Sequence, residues 1–194
     1  ARRAREERWL ARSVYKLEEI DRKARLIRSG DRILDLGCYP GSWSQYSVLK
    51  VGPKGEVVGV DLKSPDRFSS PRFRFIEADV LSLDGAWLRK QVGMRDLVIS
   101  DLAPATSGIS VTDTSRSIEL ARCALEIALA VLKTGGHFLC KVFEGSEVKA
   151  FRTELASHFA KVQTHRPSAV RKASREIYLL ATSRTSEAGS SQGP

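Results

Sequence analysis

Four short apolar segments of this chain each carry an aspartate at or near their carboxyl end. They are Arg32 to Leu36, which contains Asp35; Glu56 to Asp61; Phe73 to Ala78, followed by Asp79; and Asp96 to Asp101. Each has the length and composition of a buried strand, and turn residues or helical spacing fill the chain between them. Strands alternating with helices predict a parallel sheet covered on both faces and joined by right-handed crossovers. In such sheets ligands bind beyond the carboxyl ends of the strands, where the strand order reverses. The strand-end residues are therefore the first candidates for chemistry.

The rest of the chain extends the pattern. Ala11 to Leu26 places Val14, Leu17, Ile20 and Ala24 at three- and four-residue spacing and carries a basic opposite face, which predicts an amphipathic helix. The other predicted helices are Ser42 to Val51, Leu83 to Val92, Asp113 to Leu132, which Gly135-Gly136 ends, and Glu147 to Phe159. His137 to Phe143 reads as a fifth strand. Lys161 to Arg166 and Ile177 to Thr182 follow with no obvious helix between them, so the mostly parallel seven-stranded α/β sheet is expected to have an antiparallel edge. A length of 194 residues suits one domain, expected over 1–184 with a basic N-terminal helix within 1–28. Residues 185–194 lack apolar anchors and are expected to form a disordered tail.

Lysine and arginine outnumber aspartate and glutamate by 32 to 23, a net charge of +9. The excess sits at the two ends. Residues 1–32 are rich in arginine, and Lys161, Arg166, Arg171, Lys172 and Arg175 form a second cluster with Glu176 as its sole acid. Two such clusters favour a polyanionic partner, nucleic acid above all, over a pair of solvated faces. The hydrophobic content of 42% excludes a uniformly disordered chain. No apolar run approaches the roughly 18 residues of a membrane span, and no signal peptide is legible. Cys38, Cys123 and Cys140 are too scattered for a disulfide framework or a zinc site, and His137, His158 and His165 share no ligating spacing. The expectation is a reducing, cytoplasmic setting with no bound metal and, for want of a long apolar surface stripe, a monomer.

At the strand ends, Gly37 and Gly41 bracket a loop whose small residues let the backbone approach a ligand. The dinucleotide fingerprint G-x-G-x-x-G is absent, because Tyr39 stands where its second glycine belongs, and this disfavours a pyrophosphate cradle. Asp61 is placed to accept both hydroxyls of a ribose, and Asp79 to accept an adenine amino group; each is otherwise a strand-end acid capping a turn. An adenosine site without a pyrophosphate cradle and with acidic surroundings suggests S-adenosylmethionine, whose ammonium and sulfonium groups favour nearby carboxylates.

Five stretches then carry a family resemblance. Arg12-Ser13-Val14-Tyr15-Lys16-Leu17, Asp35-Leu36-Gly37 with Pro40-Gly41-Ser42-Trp43-Ser44-Gln45, Ser100-Asp101-Leu102-Ala103-Pro104, Lys141-Val142-Phe143 and Ser174-Arg175-Glu176-Ile177-Tyr178 resemble the motifs of the FtsJ/RrmJ (RlmE) methyltransferases. The resemblance implies a Rossmann-like S-adenosylmethionine-dependent methyltransferase fold and 2′-O-methylation of RNA ribose. In bacteria the substrate is typically a uridine of 23S large-subunit ribosomal RNA in the ribosomal particle. It also implies a catalytic set at Lys16, Asp101, Lys141 and Glu176. Its cofactor contacts fall on Gly41, Trp43, Asp61, Asp79 and Asp101, beside Gly37 of the same loop. Family members usually have Ala-Ala-Pro-Gly-Gly-Trp where this chain has Cys38-Tyr39-Pro40-Gly41-Ser42-Trp43, a change that bears on cofactor affinity.

The residues support the same chemistry independently. A lysine among Phe138, Leu139, Val142 and Phe143 is costly in a buried strand unless it is paired or functional, which singles out Lys141. A ribose 2′-hydroxyl needs alignment with the methyl donor and removal of its proton. The resemblance, taken with the charges, implies that Lys141 orients or deprotonates it, that Asp101 fixes Lys141 and the donor, and that Lys16 with Glu176 holds the remaining hydrogen bonds. Asp101-Leu102-Ala103-Pro104 is not the Asn/Asp-Pro-Pro-aromatic loop of exocyclic amine methylation, and no cysteine follows a proline as covalent base-carbon methylation requires. Methylation of transfer RNA or another RNA, and a non-catalytic ribosome-assembly factor, are the alternatives.

Overall fold

The computed structural model describes residue 4, residues 7–105 and residues 110–186. Its elements are α1 (Val14–Ala24), β1 (Arg32–Leu36), α2 (Ser42–Val51), β2 (Glu56–Asp61), β3 (Phe73–Glu77), a 3-10 turn (Val80–Ser82), α3 (Gly85–Val92), β4 (Arg95–Ser100), α4 (Ser110–Val131), β5 (Leu132–Phe143), α5 (Val148–Ala156), β6 (Phe159–His165) and β7 (Glu176–Arg184). The seven strands form one sheet in the order β3-β2-β1-β4-β5-β7-β6. The first five run parallel; β7 inserts antiparallel between β5 and β6. The antiparallel pairing thus lies at the expected edge, with β6 outermost. This is the mostly parallel α/β sheet that the sequence predicts, with helices on both faces.

Period-two alternation divides the core between the two faces. Leu34, Leu36, Val58, Val98, Phe138 and Leu179 point to one side, under α3, α4 and α5. Ile33, Val57, Leu97, Ile99, Leu139 and Tyr178 point to the other, under α1 and α2. Helix α1 seals that second face with Val14, Leu17 and Ile20, all buried, each contributing roughly 1.5–3 kcal/mol. It stops at Arg25, whose backbone turns left-handed (φ 51°) and returns its N–H to the Asp21 carbonyl.

Several expected boundaries move. Gly135-Gly136 does not end the long helix: α4 stops at Val131, and Leu132 already pairs with Arg95 as the first residue of β5. Between the Arg95–Leu132 and Leu97–His137 pairs β5 advances five residues while β4 advances two, and Gly135, at φ 82°, sits in the excess. Helix α5 ends three residues before the expected Phe159, because that side chain is recruited to β6 and stacks on Phe138. A 3-10 turn and Asp84, which caps Trp87 N–H, precede α3 and delay its start to Gly85. Thr185 still hydrogen-bonds to the His158 carbonyl. Residues 187–194 of the expected tail, and 1–3, 5 and 6 of the expected N-terminal helix, lie outside the described residues.

Candidate active site

The strand order reverses between β1 and β4, and the loops leaving these strands carry Gly37 and Asp101. Lys141 and Tyr178 face each other across the β5–β7 register, as do Phe143 and Glu176 two residues along. Alternation therefore puts Lys141, Glu176 and Tyr178 on the face that α1 covers, where Lys16 reaches them.

The four expected catalytic side chains meet. Lys141 is buried yet fully partnered: Nζ donates to the Asp101 carbonyl at 2.9 Å and lies 3.2 Å from Asp101 Oδ1 and 3.7 Å from Glu176 Oε1. Lys16 Nζ donates to both Glu176 oxygens at 3.1 Å, and Ser174 Oγ adds a bond to Oε2. Burial alone raises the Glu176 carboxyl, but Lys16 and Lys141 outweigh it and hold the group below its ordinary value. Tyr178, which the sequence reading left without a role, donates its hydroxyl to Asp101 Oδ1 at 2.7 Å. Burial first, and the Asp101 charge second, push that phenol well above its ordinary range, so it serves as a fixed donor. Its position two residues after Glu176 in a strand was the available signal.

A cavity of about 560 Å³ opens over this cluster, lined by Arg12, Ser13, Lys16, Phe143, Arg171 and Glu176 among others. Its rim joins the two basic ends of the chain. Arg12 donates to the Ala169 carbonyl, and Glu19 accepts from both the N–H and the hydroxyl of Ser168. The segment between β6 and β7, with Arg171 and Lys172, is thereby fastened to α1. From the other side, Arg166 pairs with Glu144 at 2.8 Å and Arg175 donates to the Glu144 carbonyl.

The expected cofactor residues occupy the neighbouring strand ends. Asp61 Oδ2 accepts from Tyr39 N–H and Oδ1 from Leu62 N–H, while Asp79 Oδ1 accepts from Leu81 N–H and caps the 3-10 turn. Gly37 and Gly41 both have positive φ (74° and 108°). A Cβ at Gly37 would collide with Leu102, and one at Gly41 would crowd Pro65, so protein contacts as well as backbone geometry require glycine there. The Trp43 side chain is buried apart from these carboxylates. Its indole N–H donates to the Ser13 carbonyl and its ring packs on Tyr178 at 5.8 Å, tying α2 to α1 and β7.

Asp35, one of the four strand acids and part of a motif but given no role of its own by the sequence, is the most perturbed carboxylate here. Ser44 Oγ donates to its Oδ2 at 2.6 Å, while Oδ1 is buried without a hydrogen-bond partner. Burial above all, with the charges of Asp101 and Asp61, pushes the carboxyl up to about 7. A buried, unpartnered acceptor within reach of two more carboxylates suits a ligand carrying cationic groups. Among the described residues no group of three or more His, Cys, Asp or Glu side chains is arranged to hold a metal ion, and no helix is long and apolar enough to cross a membrane.

Comparisons with known proteins agree with this fold. The FtsJ-like methyltransferase family model matches residues 9–184. Ribosomal RNA large subunit methyltransferase E of Bdellovibrio bacteriovorus is 45% identical over 186 residues, covering 94% of each chain. The protein of the same name from Desulfosudis oleivorans is 40% identical over 184 residues, covering 95% of this chain and 89% of its own. A crystal structure from Plasmodium falciparum, described as a ribosomal RNA methyltransferase, superposes with a TM-score of 0.81 at 28% identity, over 92% of this chain and all of that one. A buried lysine gripped by two carboxylates at the switch point of a methyltransferase sheet, and relatives along nearly the whole length, identify this chain as a member of the FtsJ-like methyltransferase family.

Proposed function

We propose that this enzyme transfers the methyl group of S-adenosylmethionine to the 2′-hydroxyl of a uridine ribose in 23S large-subunit ribosomal RNA, acting on the ribosomal particle as a cytoplasmic monomer. The observation that carries the reading is Lys141, buried and held by Asp101 and by Glu176, which itself lines the cavity together with Lys16. The names of the relatives support the RNA class.

When bound, S-adenosylmethionine supplies an electrophilic methyl on its sulfonium. Asp61 receives the ribose hydroxyls of the cofactor and Asp79 its adenine amino group. Asp35 and Asp101 meet the cationic end, and the loop from Gly37 to Gly41, with the backbone at Trp43, seats the methionine portion. On the RNA side Lys141 Nζ orients the 2′-hydroxyl; it takes the hydroxyl proton as the oxygen is methylated only as the neutral amine, after giving up its own proton to solvent, and a positioned base of this kind is worth about 10²–10⁴-fold in rate. Asp101 and Tyr178 keep Lys141 in place, and the Lys16–Glu176 pair completes the network. Arg12, Arg171 and Lys172 meet phosphates, so binding should weaken steeply with salt.

Digestion of RNA methylated by the enzyme to nucleosides, followed by mass spectrometry, tests the reading. 2′-O-methyluridine from large-subunit particles is expected, with transfer RNA left unmodified. A methyl group on a base, or on transfer RNA alone, would overturn it.

A further inference from the structure

Tyr39 and Lys63 meet across the gap between two loops. Tyr39 follows β1, Lys63 follows β2, and Lys63 Nζ lies 4.4 Å from the centroid of the Tyr39 ring, well inside cation–π range. The N–H of Tyr39 donates to Asp61 Oδ2 at 2.9 Å, so the ring is rooted beside the carboxylate assigned to the cofactor ribose. Tyr39 is 45% exposed and belongs to neither core cluster; folding does not explain it.

We propose that Tyr39 and Lys63 form a strap over the nucleoside end of the cofactor site, the ring covering the ribose at Asp61 and the ammonium pinning the ring. This rests on the cofactor assignment above. A covering ring excludes water from the bonds between Asp61 and the ribose, which strengthens them and slows departure of the nucleoside. The two partners come from separate loops: the ring does the covering, and the ammonium holds it in place.

Calorimetry and stopped-flow dissociation of S-adenosylhomocysteine from the full chain test the strap. Tyr39→Ala is expected to weaken binding about 5- to 10-fold, chiefly through faster dissociation, and Lys63→Ala about 2- to 5-fold. Tyr39→Phe, which keeps the ring and removes only the hydroxyl that also meets Lys63, should lose clearly less binding than Tyr39→Ala. The double alanine variant should match Tyr39→Ala, because the ammonium acts only through the ring. Unchanged or tighter binding by Tyr39→Ala, or a full additional loss in the double variant, would overturn the strap. Asp61→Ala separates the two readings. If it loses binding while Tyr39→Ala does not, the strap alone fails; if it binds like the unaltered chain, the cofactor assignment fails and the strap with it.

Discussion

Lys141 engages Asp101 twice, donating to its main-chain carbonyl at 2.9 Å and standing 3.2 Å from Oδ1, the oxygen that also receives the Tyr178 hydroxyl. The β4 end and two antiparallel strands therefore fix one ammonium group. Replacing Lys141 with alanine should lower methyl transfer by about 10²–10⁴-fold while leaving cofactor affinity unchanged. Single-turnover rates and calorimetry on the same preparation check both halves.

Lys16 and Glu176 should behave as a coupled unit. Their side chains are largely buried and share both carboxylate oxygens, so Lys16→Ala and Glu176→Gln should each slow transfer, and the double variant should fall short of the summed losses by about 1–3 kcal/mol. The Glu176 carboxyl is held below its ordinary value, so its contribution to stability is present above the unfolded value of about 4.3 and is lost as pH falls through the folded one. Urea midpoints measured on acidification should drop less for Glu176→Gln than for the unaltered chain.

Asp35 has the opposite sign. Its carboxyl rises to about 7, so between about pH 4 and 7 the folded chain holds a proton that the unfolded chain has released. Stability should fall as pH rises through that window, by at most about 1.4 kcal/mol per unit, and Asp35→Asn should flatten the decline. A cationic ligand favours the ionised form, so S-adenosylmethionine binding near neutral pH should release a proton. Calorimetry in buffers of different ionisation enthalpy reads that release directly.

Away from the site, Asp21 supports the fold. It is buried, accepting from Tyr46 OH at 2.7 Å and from Ile27 N–H at 2.8 Å, with Lys50 at 3.7 Å. Asp21→Ala strands two buried donors and should cost about 3 kcal/mol in urea unfolding; Tyr46→Phe should cost about 1 kcal/mol. Cofactor affinity should be unchanged in both.

The strand ends were legible because alternation is local: once Lys141 stands in an apolar strand and Glu176 directly precedes another, their faces follow from counting by two. The start of β5 was not. The jump between the Arg95–Leu132 and Leu97–His137 pairs is set by strand pairing, and Gly135-Gly136 reads equally well as a helix stop. Likewise the two basic clusters were visible, but nothing in either announces that Arg12 would hold Ala169 and Glu19 would hold Ser168, about 150 residues away. The raised pKa of Asp35 was hidden for the same reason, since Ser44 and the neighbouring carboxylates reach it only through the fold.

Labelled methyl transfer from S-adenosylmethionine to large ribosomal subunits lacking the modification, with Lys141→Ala in parallel, is the most direct test. Label mapping to one ribose 2′-oxygen of 23S ribosomal RNA with the unaltered chain, and transfer slower by about 10²-fold or more with Lys141→Ala, is the expected result. Equal transfer by the two proteins, or label on a base, would contradict it.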